Sequence, residues 1–403
     1  HTNSAQHRPG RGARHTVGNF AAAGLHVGGL DVGGIQVGGL VFSRHGSKRT
    51  GRLHPALCPG RRLHPMKVDA PLVALGLNSV PEMARKIESL GYDGAFTFEG
   101  PHDPFFPLAL AAEHTERIEL MTAVAIAFAR NPMTIANISR DLNDLSGGRM
   151  ITGLGSQVKP HIERRFSMPW SHPAARMREF VLALQAIWSA WQDRTPLQFE
   201  GEHYRHTLMT PFFDPGPSEF GKPRVHLAGV GPAMTEVAGE VADGFLIHPF
   251  STPEFVKDVT LPALSRGAAR AGRSVEDLEL TWPVMVISGE TEEAFATAEL
   301  IVRTQIAFYA STPAYRVVLE HHGLGEIQSV LHRMTREGNW ADMPGMINDE
   351  VLDLFAVRGE LKKVAPGLLE RTLGVVDRVS INAPYESDPG AWSQVVAEIK
   401  AAL

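Results

Sequence analysis

Residues 118–160 read IELMTAVAIAFARNPMTIANISRDLNDLSGGRMITGLGSQVKP, and the order of elements in this stretch decides the fold. Ile118 to Ala127 reads as one unbroken apolar strand, of the kind buried on both faces of a parallel sheet. Arg130-Asn131-Pro132 opens a helix, with proline at the first helical position, where its missing N–H costs nothing. That helix places Ile135, Ile138 and Leu142 on one stripe and ends near Ser146-Gly147-Gly148. Arg149 to Leu154 follows as a second strand, and Gly155-Ser156-Gln157 turns away from its end. Strand, helix, strand with a short polar turn after each strand is a βα repeat. In α/β barrels the residues just past the C-terminal strand ends form the active site. Here those residues are 123–130 and 153–159.

The same alternation runs outward in both directions. Strands are expected at Lys67–Leu75, Ala95–Phe98, Arg224–Ala228, Gly244–Ile247, Leu280–Ser288 and Asp377–Ile381. Helices are expected at Pro81–Leu90, Phe105–His114, Ala174–Trp191, Ala233–Ala242 and Pro389–Leu403. A helical segment also runs from Thr291 to about Arg336. LQFEGEHYRH at 197–206 reads as a hairpin turning at Gly201, and the proline- and glycine-rich 211–223 as a surface loop. Eight strands alternating with helices over residues 66–403 predict an α/β protein, one (β/α)8 TIM barrel with insertions. A doubly wound sheet would need G-x-G-x-x-G after the first strand, which is missing.

Composition sets the bounds. With 43% hydrophobic and 21% charged residues the chain is an ordinary globular protein, and a net charge of −5 supplies no basic footprint for nucleic acid. No run of about 20 apolar residues predicts a membrane span. Cys58 is the only cysteine, which excludes disulfides, iron–sulfur clusters and cysteine zinc sites from the main body; a reducing, cytoplasmic setting is the expectation. Residues 1–65 lack glutamate, are rich in Gly, His, Arg and Pro, and repeat Val-Gly-Gly at Val27, Val32 and Val37. They read as a leader or an over-extended start, with Met66 as the natural first residue, and as poorly ordered for want of apolar content. The alternative is an extension that packs on a partner. The functional body is then 66–403.

Each candidate site residue has a structural alternative. Gly229-Val230-Gly231-Pro232 lies between a strand and a helix, where backbone N–H groups and the helix dipole favour a phosphate; the alternative is a plain barrel turn. Glu99, His102 and Asp103 cluster at one strand end. His102 can exchange protons, and Glu99 can orient it or hold a cofactor hydroxyl, whereas Asp103 before Pro104 reads better as a helix cap. Ser156, Gln157 and Lys159 offer hydroxyl, amide and ammonium to a phosphate or ring carbonyl, or form a polar loop. Arg176 and Arg178 begin a helix within reach of a phosphate or acidic tail. His248 leaves a strand at the barrel top, as a second acid–base candidate or a buried hydrogen-bonded histidine. No metal spacing and no G-x-S-x-G elbow is present, so neither a metal nor a serine hydrolase is expected.

Ala127 to Pro132, then Leu145-Ser146-Gly147-Gly148-Arg149, then Gly153-Leu154-Gly155-Ser156 resemble, in this order, the bacterial-luciferase-like superfamily of flavin and deazaflavin (coenzyme F420) oxidoreductases. Phe199-x-Gly201-x-x-Tyr204 and DRVSINAP at 377–384 are similar to segments of that family, and residues 102–120 and 155–170 look like its actinobacterial F420-dependent branch. The resemblance implies hydride transfer between F420 and a small organic substrate at the barrel mouth, or, as the alternative, an FMN-dependent monooxygenase or a non-catalytic flavin-binding barrel. It implies a non-proline cis peptide near Ala123-Val124 behind the cofactor ring. It also implies a phosphate at Gly229–Gly231, where this chain has one residue more than the family's A-G-G-P turn. F420's acidic tail would favour a basic rim such as Lys159, Arg176 and Arg178. Some relatives place Asp-His directly after strand two; here Glu99 matches the acid, and Gly100 stands at the histidine position. A homodimer packing helices near strands two and three is implied as well.

Overall fold

The apolar runs of the sequence pair edge to edge, and the pairing closes on itself. The computed structural model describes residues 65–73 and 76–402. Among them, eight strands form the ring: β1 (Lys67–Pro71), β2 (Gly94–Thr97), β3 (Glu119–Thr122), β4 (Met150–Gly155), β5 (Arg224–Gly229), β6 (Gly244–Ile247), β7 (Glu279–Ile287) and β8 (Arg378–Asn382). Each runs parallel to its neighbours. β8 returns to β1, pairing Arg378 with Lys67 and Ser380 with Asp69. Between them lie α1 (Val80–Ser89), α2 (Phe105–His114), α3 (Pro132–Leu145), α4 (Pro173–Asp193), α5 (Pro232–Val241), α6 (Leu261–Arg270) and α7 (Leu361–Thr372), with α8 (Ser393–Ala401) last. The fold is the expected α/β class, a (β/α)8 TIM barrel with insertions.

Several boundaries differ from the sequence reading. The first strand ends at Pro71. The run 118–127 is interrupted after Thr122 and resumes as a two-residue strand, Ala125–Ile126, still paired with β4. Thr122 spans the break, its hydroxyl donating to Gly153 O (2.7 Å) and accepting from Gly153 N–H (2.9 Å). The segment 158–173 is a loop carrying a short helix, Lys159–Arg164. Beyond β7, helices Glu292–Ala310, Arg316–His321, Gly325–Glu337 and Asp349–Phe355 form an insertion. The chain returns through a further parallel strand, Ala356–Arg358, on the upper end of β7. That strand and α7 escaped the sequence reading: three residues are too few to show a period of two, and Pro366 inside α7 hides a helix. The insertion has its own apolar cluster, including Val302, Ile306, Leu331, Leu352 and Phe355. The expected leader, apart from Pro65, lies outside the described residues with Cys58. Among the described residues no helix is long and apolar enough to cross a membrane.

The Leu-Ser-Gly-Gly-Arg turn has a packing role. Asn131 caps α3 by accepting from Thr134 N–H, and Gly147 and Gly148 end it at positive φ (67° and 85°). Arg149 then donates to Ser146 O (2.6 Å), Ile118 O (2.7 Å) and Thr115 O (2.7 Å). It ties the end of α2 and the entry to β3 to the start of β4. Arg149→Met leaves these carbonyls unpaired, and is expected to cost about 2 kcal/mol in chemical denaturation.

Alternate strand residues face the barrel axis and stack in layers. At the N-terminal ends of the strands a charged floor gathers Lys67, Asp69, Glu119, Arg224, Glu279 and Arg378. Above it Met121, Ile151 and Leu246 form a buried plug. Phe96, Ala123, Val124 and Ala228 pack on that plug while remaining partly exposed. They are the floor of the barrel mouth.

Candidate functional site

The mouth is assembled from the C-terminal ends of β2 to β6. The peptide bond between Ala123 and Val124 is cis, at the position the resemblance implies. Ala123 N–H donates to Thr97 O (2.6 Å) and Val124 O accepts from Glu99 N–H (3.0 Å), so this segment is held against the end of β2. Gly155 closes the other side: a Cβ there would lie 2.7 Å from Val124 Cγ2. Gln157 follows in left-handed backbone (φ 60°), its Oε1 accepting from Val158 N–H (2.9 Å), while Ser156 Oγ donates to Gln157 O (3.1 Å). Ser156 and Gln157 are half-buried at the rim, and Lys159 is exposed beside Glu163 (3.7 Å).

Glu99 is committed to structure. One carboxylate oxygen accepts from Ile126 N–H (2.7 Å) and from Arg130 (2.5 Å), and the side chain is 6% exposed. Arg130 reaches Asp103 with its other terminal nitrogen (2.7 Å), and Asp103 accepts from Phe105 N–H (2.9 Å). The N-cap residue of α2 is Pro104, without a side-chain cap, so Asp103 stands one residue before the cap position read from the sequence. It still accepts from the first helical N–H and closes an ion-pair bridge that the sequence did not reveal. Burial alone would lower the pKa of Arg130, and its bonds to Glu99 and Asp103 outweigh that and raise it. Arg130 was visible only as the residue before a helix start. His102, two residues past Gly100, is exposed and has no hydrogen-bond partner among the described residues. The loop does not turn it inward.

His248 is enclosed by the insertion. Its ring lies 4.7 Å from that of Tyr309 and 4.5 Å from that of Tyr315. Burial pushes its pKa down to about 3, so the ring is neutral at ordinary pH. Nδ1 accepts from Phe250 N–H (3.0 Å), which leaves the ring proton on Nε2. An imidazole in this state is a fixed hydrogen-bond donor rather than a titrating acid–base group.

The basic rim is largely used internally. Arg176 is buried, donates to Tyr204 Oη (2.8 Å) and Pro169 O (2.6 Å), and stacks on Phe128 at 4.4 Å. Arg178 pairs with Glu240 of α5 (2.6 Å). Both guanidinium groups thus have partners within the protein at the positions where phosphate or acidic-tail contacts were expected. At the start of α5 the picture differs. Gly231 is the N-cap residue with no side-chain cap, and nothing lies within 4 Å of where its Cβ would be. Gly229 fits closely, since a Cβ there would meet Met234 Cγ at 2.9 Å. Val230 stands half-buried between them. Uncapped amide donors at a helix start are groups of the kind that favour an anion.

An apolar wall, an uncapped helix start and a neutral histidine ring thus stand at the C-terminal ends of the strands of a (β/α)8 barrel. The model of the luciferase-like monooxygenase family matches residues 61–378, and the chain belongs to that family of oxidoreductases. An uncharacterized protein of Mycobacterium tuberculosis is 55% identical over 298 residues, covering 74% of this chain and 88% of that protein. A putative coenzyme F420-dependent oxidoreductase of the same organism is 28% identical, covering 70% and 84%. Among solved structures, the coenzyme F420-dependent tetrahydromethanopterin reductase of Methanopyrus kandleri shares the fold. Its TM-score is 0.68 at 20% identity, covering 84% of this chain and 98% of that one.

Proposed function

We propose that the protein transfers a hydride between coenzyme F420 and a small organic substrate at the barrel mouth. The observation that carries this reading is the pairing of a partly exposed apolar wall with the open, uncapped start of α5. A ring system fits the first and a phosphate the second. The 28% identical relative, described as F420-dependent, supports the choice of cofactor. Bound there, F420 would supply or accept a hydride at C5 of its deazaflavin ring.

The chain's own residues do the rest. Ala123, Val124 and Gly155 back the ring, and the amides of Gly229, Val230 and Gly231 with those of the first turn of α5 hold the phosphate. Ser156 and Gln157 bond the ring carbonyls, with Lys159 at the outer edge. Glu99 acts as a positioning residue through Ile126 and Arg130. His248 Nε2–H holds the substrate oxygen without changing protonation state, as a neutral imidazole can. His102, exposed on a loop that does not turn inward, stays outside this site, and solvent at the mouth supplies the proton that accompanies the hydride. The same reading takes the protein to be a cytoplasmic homodimer.

The test is titration of the full chain with F420 and, separately, FMN, followed by intrinsic tryptophan fluorescence. Saturable binding of F420 with FMN at least tenfold weaker is expected. Preference for FMN would replace this reading by oxygen-dependent flavin chemistry, and binding of neither would overturn the cofactor site.

A further inference from the structure

Beside the start of α4, three ligand-bearing side chains from two segments converge. His172 is the N-cap residue of α4 and holds left-handed backbone (φ 37°). Glu202 and His203 form the tip of the hairpin whose strands are Phe199–Glu200 and Arg205–His206. One ligand atom from each of the three lies within 4.8 Å of the other two. The imidazole rings are 6.1 Å apart and inclined by 34°.

The hairpin tip is fixed by α4 itself. Glu179 accepts from the backbone N–H groups of Glu202 (2.9 Å), His203 (2.7 Å) and Tyr204 (3.3 Å). Burial would raise the pKa of Glu179, but those backbone donors outweigh it and hold the carboxyl below its ordinary value. Gly201 is needed for this docking, because a Cβ there would lie 2.2 Å from Glu179 Oε2. One helix thus carries His172 and positions the other two groups. His203 Nε2 is shut off from solvent with no hydrogen-bond partner among the described residues, a costly state that a bound ligand relieves.

We infer that His172, Glu202 and His203 bind a divalent cation of the zinc class. Two imidazole nitrogens and one carboxylate oxygen suit zinc and its neighbours, whereas calcium and magnesium take oxygen ligands. Tetrahedral zinc with bonds near 2.1 Å needs ligand atoms about 3.4 Å apart. His172 and Glu202 are exposed, so rotation of their side chains closes the remaining gap, and water takes the fourth position. The cation ties the end of the 165–172 segment to the hairpin. Arg176 already joins the same two segments through Pro169 O and Tyr204 Oη. Metal occupancy therefore stiffens the junction of these two segments. Spacing motifs are silent here because the ligands come from distant segments.

The experiment is cobalt(II) titration of the full chain by visible absorption, with zinc competition, in parent protein and in the His172→Asn, Glu202→Gln and His203→Asn variants. The chain has 18 histidines, so the reading is the difference between parent and variant. The parent is expected to show intense tetrahedral bands that saturate with one equivalent and are displaced by zinc. His203→Asn abolishes them, and Glu202→Gln weakens binding at least tenfold, with circular dichroism unchanged. Zinc raises the thermal midpoint of the parent and not of His203→Asn. Equal cobalt spectra and zinc affinity in all four proteins, or only the weak bands of octahedral cobalt, would overturn the site. Should His203→Asn fail to fold, exposed Glu202→Gln decides by the same criteria.

Discussion

Arg378→Met is expected to remove about 3–5 kcal/mol of folding free energy, the usual cost of taking one partner from a buried ion pair. Whole domains are stable by only about 5–15 kcal/mol, so most of the margin goes. Arg378 opens β8 at the barrel floor, 1% exposed. Its guanidinium grips the equally buried Asp69 with two bonds, Nε to Oδ2 (2.8 Å) and Nη2 to Oδ1 (2.5 Å). Its third nitrogen bonds Glu119 and lies 3.3 Å from Glu279. Methionine keeps most of the volume and leaves Asp69 as a lone buried carboxylate. The companion variant, Arg378→Met with Asp69→Leu, separates charge from packing. It is expected to recover most of the loss, because Glu119 and Glu279 keep Lys67, at 2.9 Å from each. Urea denaturation of the two variants is the measurement. A cost below about 1 kcal/mol for the single change would refute the account.

The same floor sets a direction for acid sensitivity. Burial alone would raise the pKa of Glu119, but Arg378 and Arg224 outweigh it and hold the carboxyl well below the ordinary range. Glu279 is likewise held down, chiefly by Arg378. A carboxylate whose folded pKa is depressed stabilises above its unfolded pKa, and that stability drains as pH falls toward the folded value. Both groups therefore favour the fold at neutral pH, and their contribution begins to drain below about pH 4 and is lost progressively as the pH falls further.

The barrel was legible because each strand is an apolar run bounded by turn residues, and the fold itself brings strand ends to one rim. Ala123, Gly155 and Gly229 could be placed together on that ground alone. The floor was not legible: Asp69, Glu119, Arg224, Glu279 and Arg378 lie in or at the start of apolar strands far apart in sequence, and no local spacing pairs them. The same holds at the mouth. Asp103 at the helix start is a local pattern and was readable to within one residue, whereas its bridge through Arg130 to Glu99 joins two strand ends. Arg176 and Arg178 looked free because Tyr204 and Glu240 are remote in the chain. His248 looked like a titrating group because nothing near it in sequence announces Tyr309 and Tyr315. The cis bond has no signature in residue type, and was reached only by resemblance.

Gly231→Asp is expected to weaken F420 binding by about 100-fold, roughly 2.7 kcal/mol, while leaving the protein as stable as before or slightly more so. The two effects have one origin. Gly231 caps α5 without a side chain, in extended backbone (φ −74°, ψ 147°) that any residue adopts. Its Cβ direction is open, so aspartate meets no steric barrier. Aspartate is among the best N-cap residues, and its carboxylate accepts from the first-turn amides and complements the helix dipole. Those are the groups that hold the cofactor phosphate in the proposed function. The variant therefore fills the anion site with the protein's own anion, and adds like-charge repulsion against any phosphate that approaches. Fluorescence titration reads the affinity and thermal denaturation the stability. Lost affinity with retained stability places the phosphate at the start of α5. Unchanged affinity would mean that the glycines serve the barrel turn alone and that the phosphate binds elsewhere on the rim.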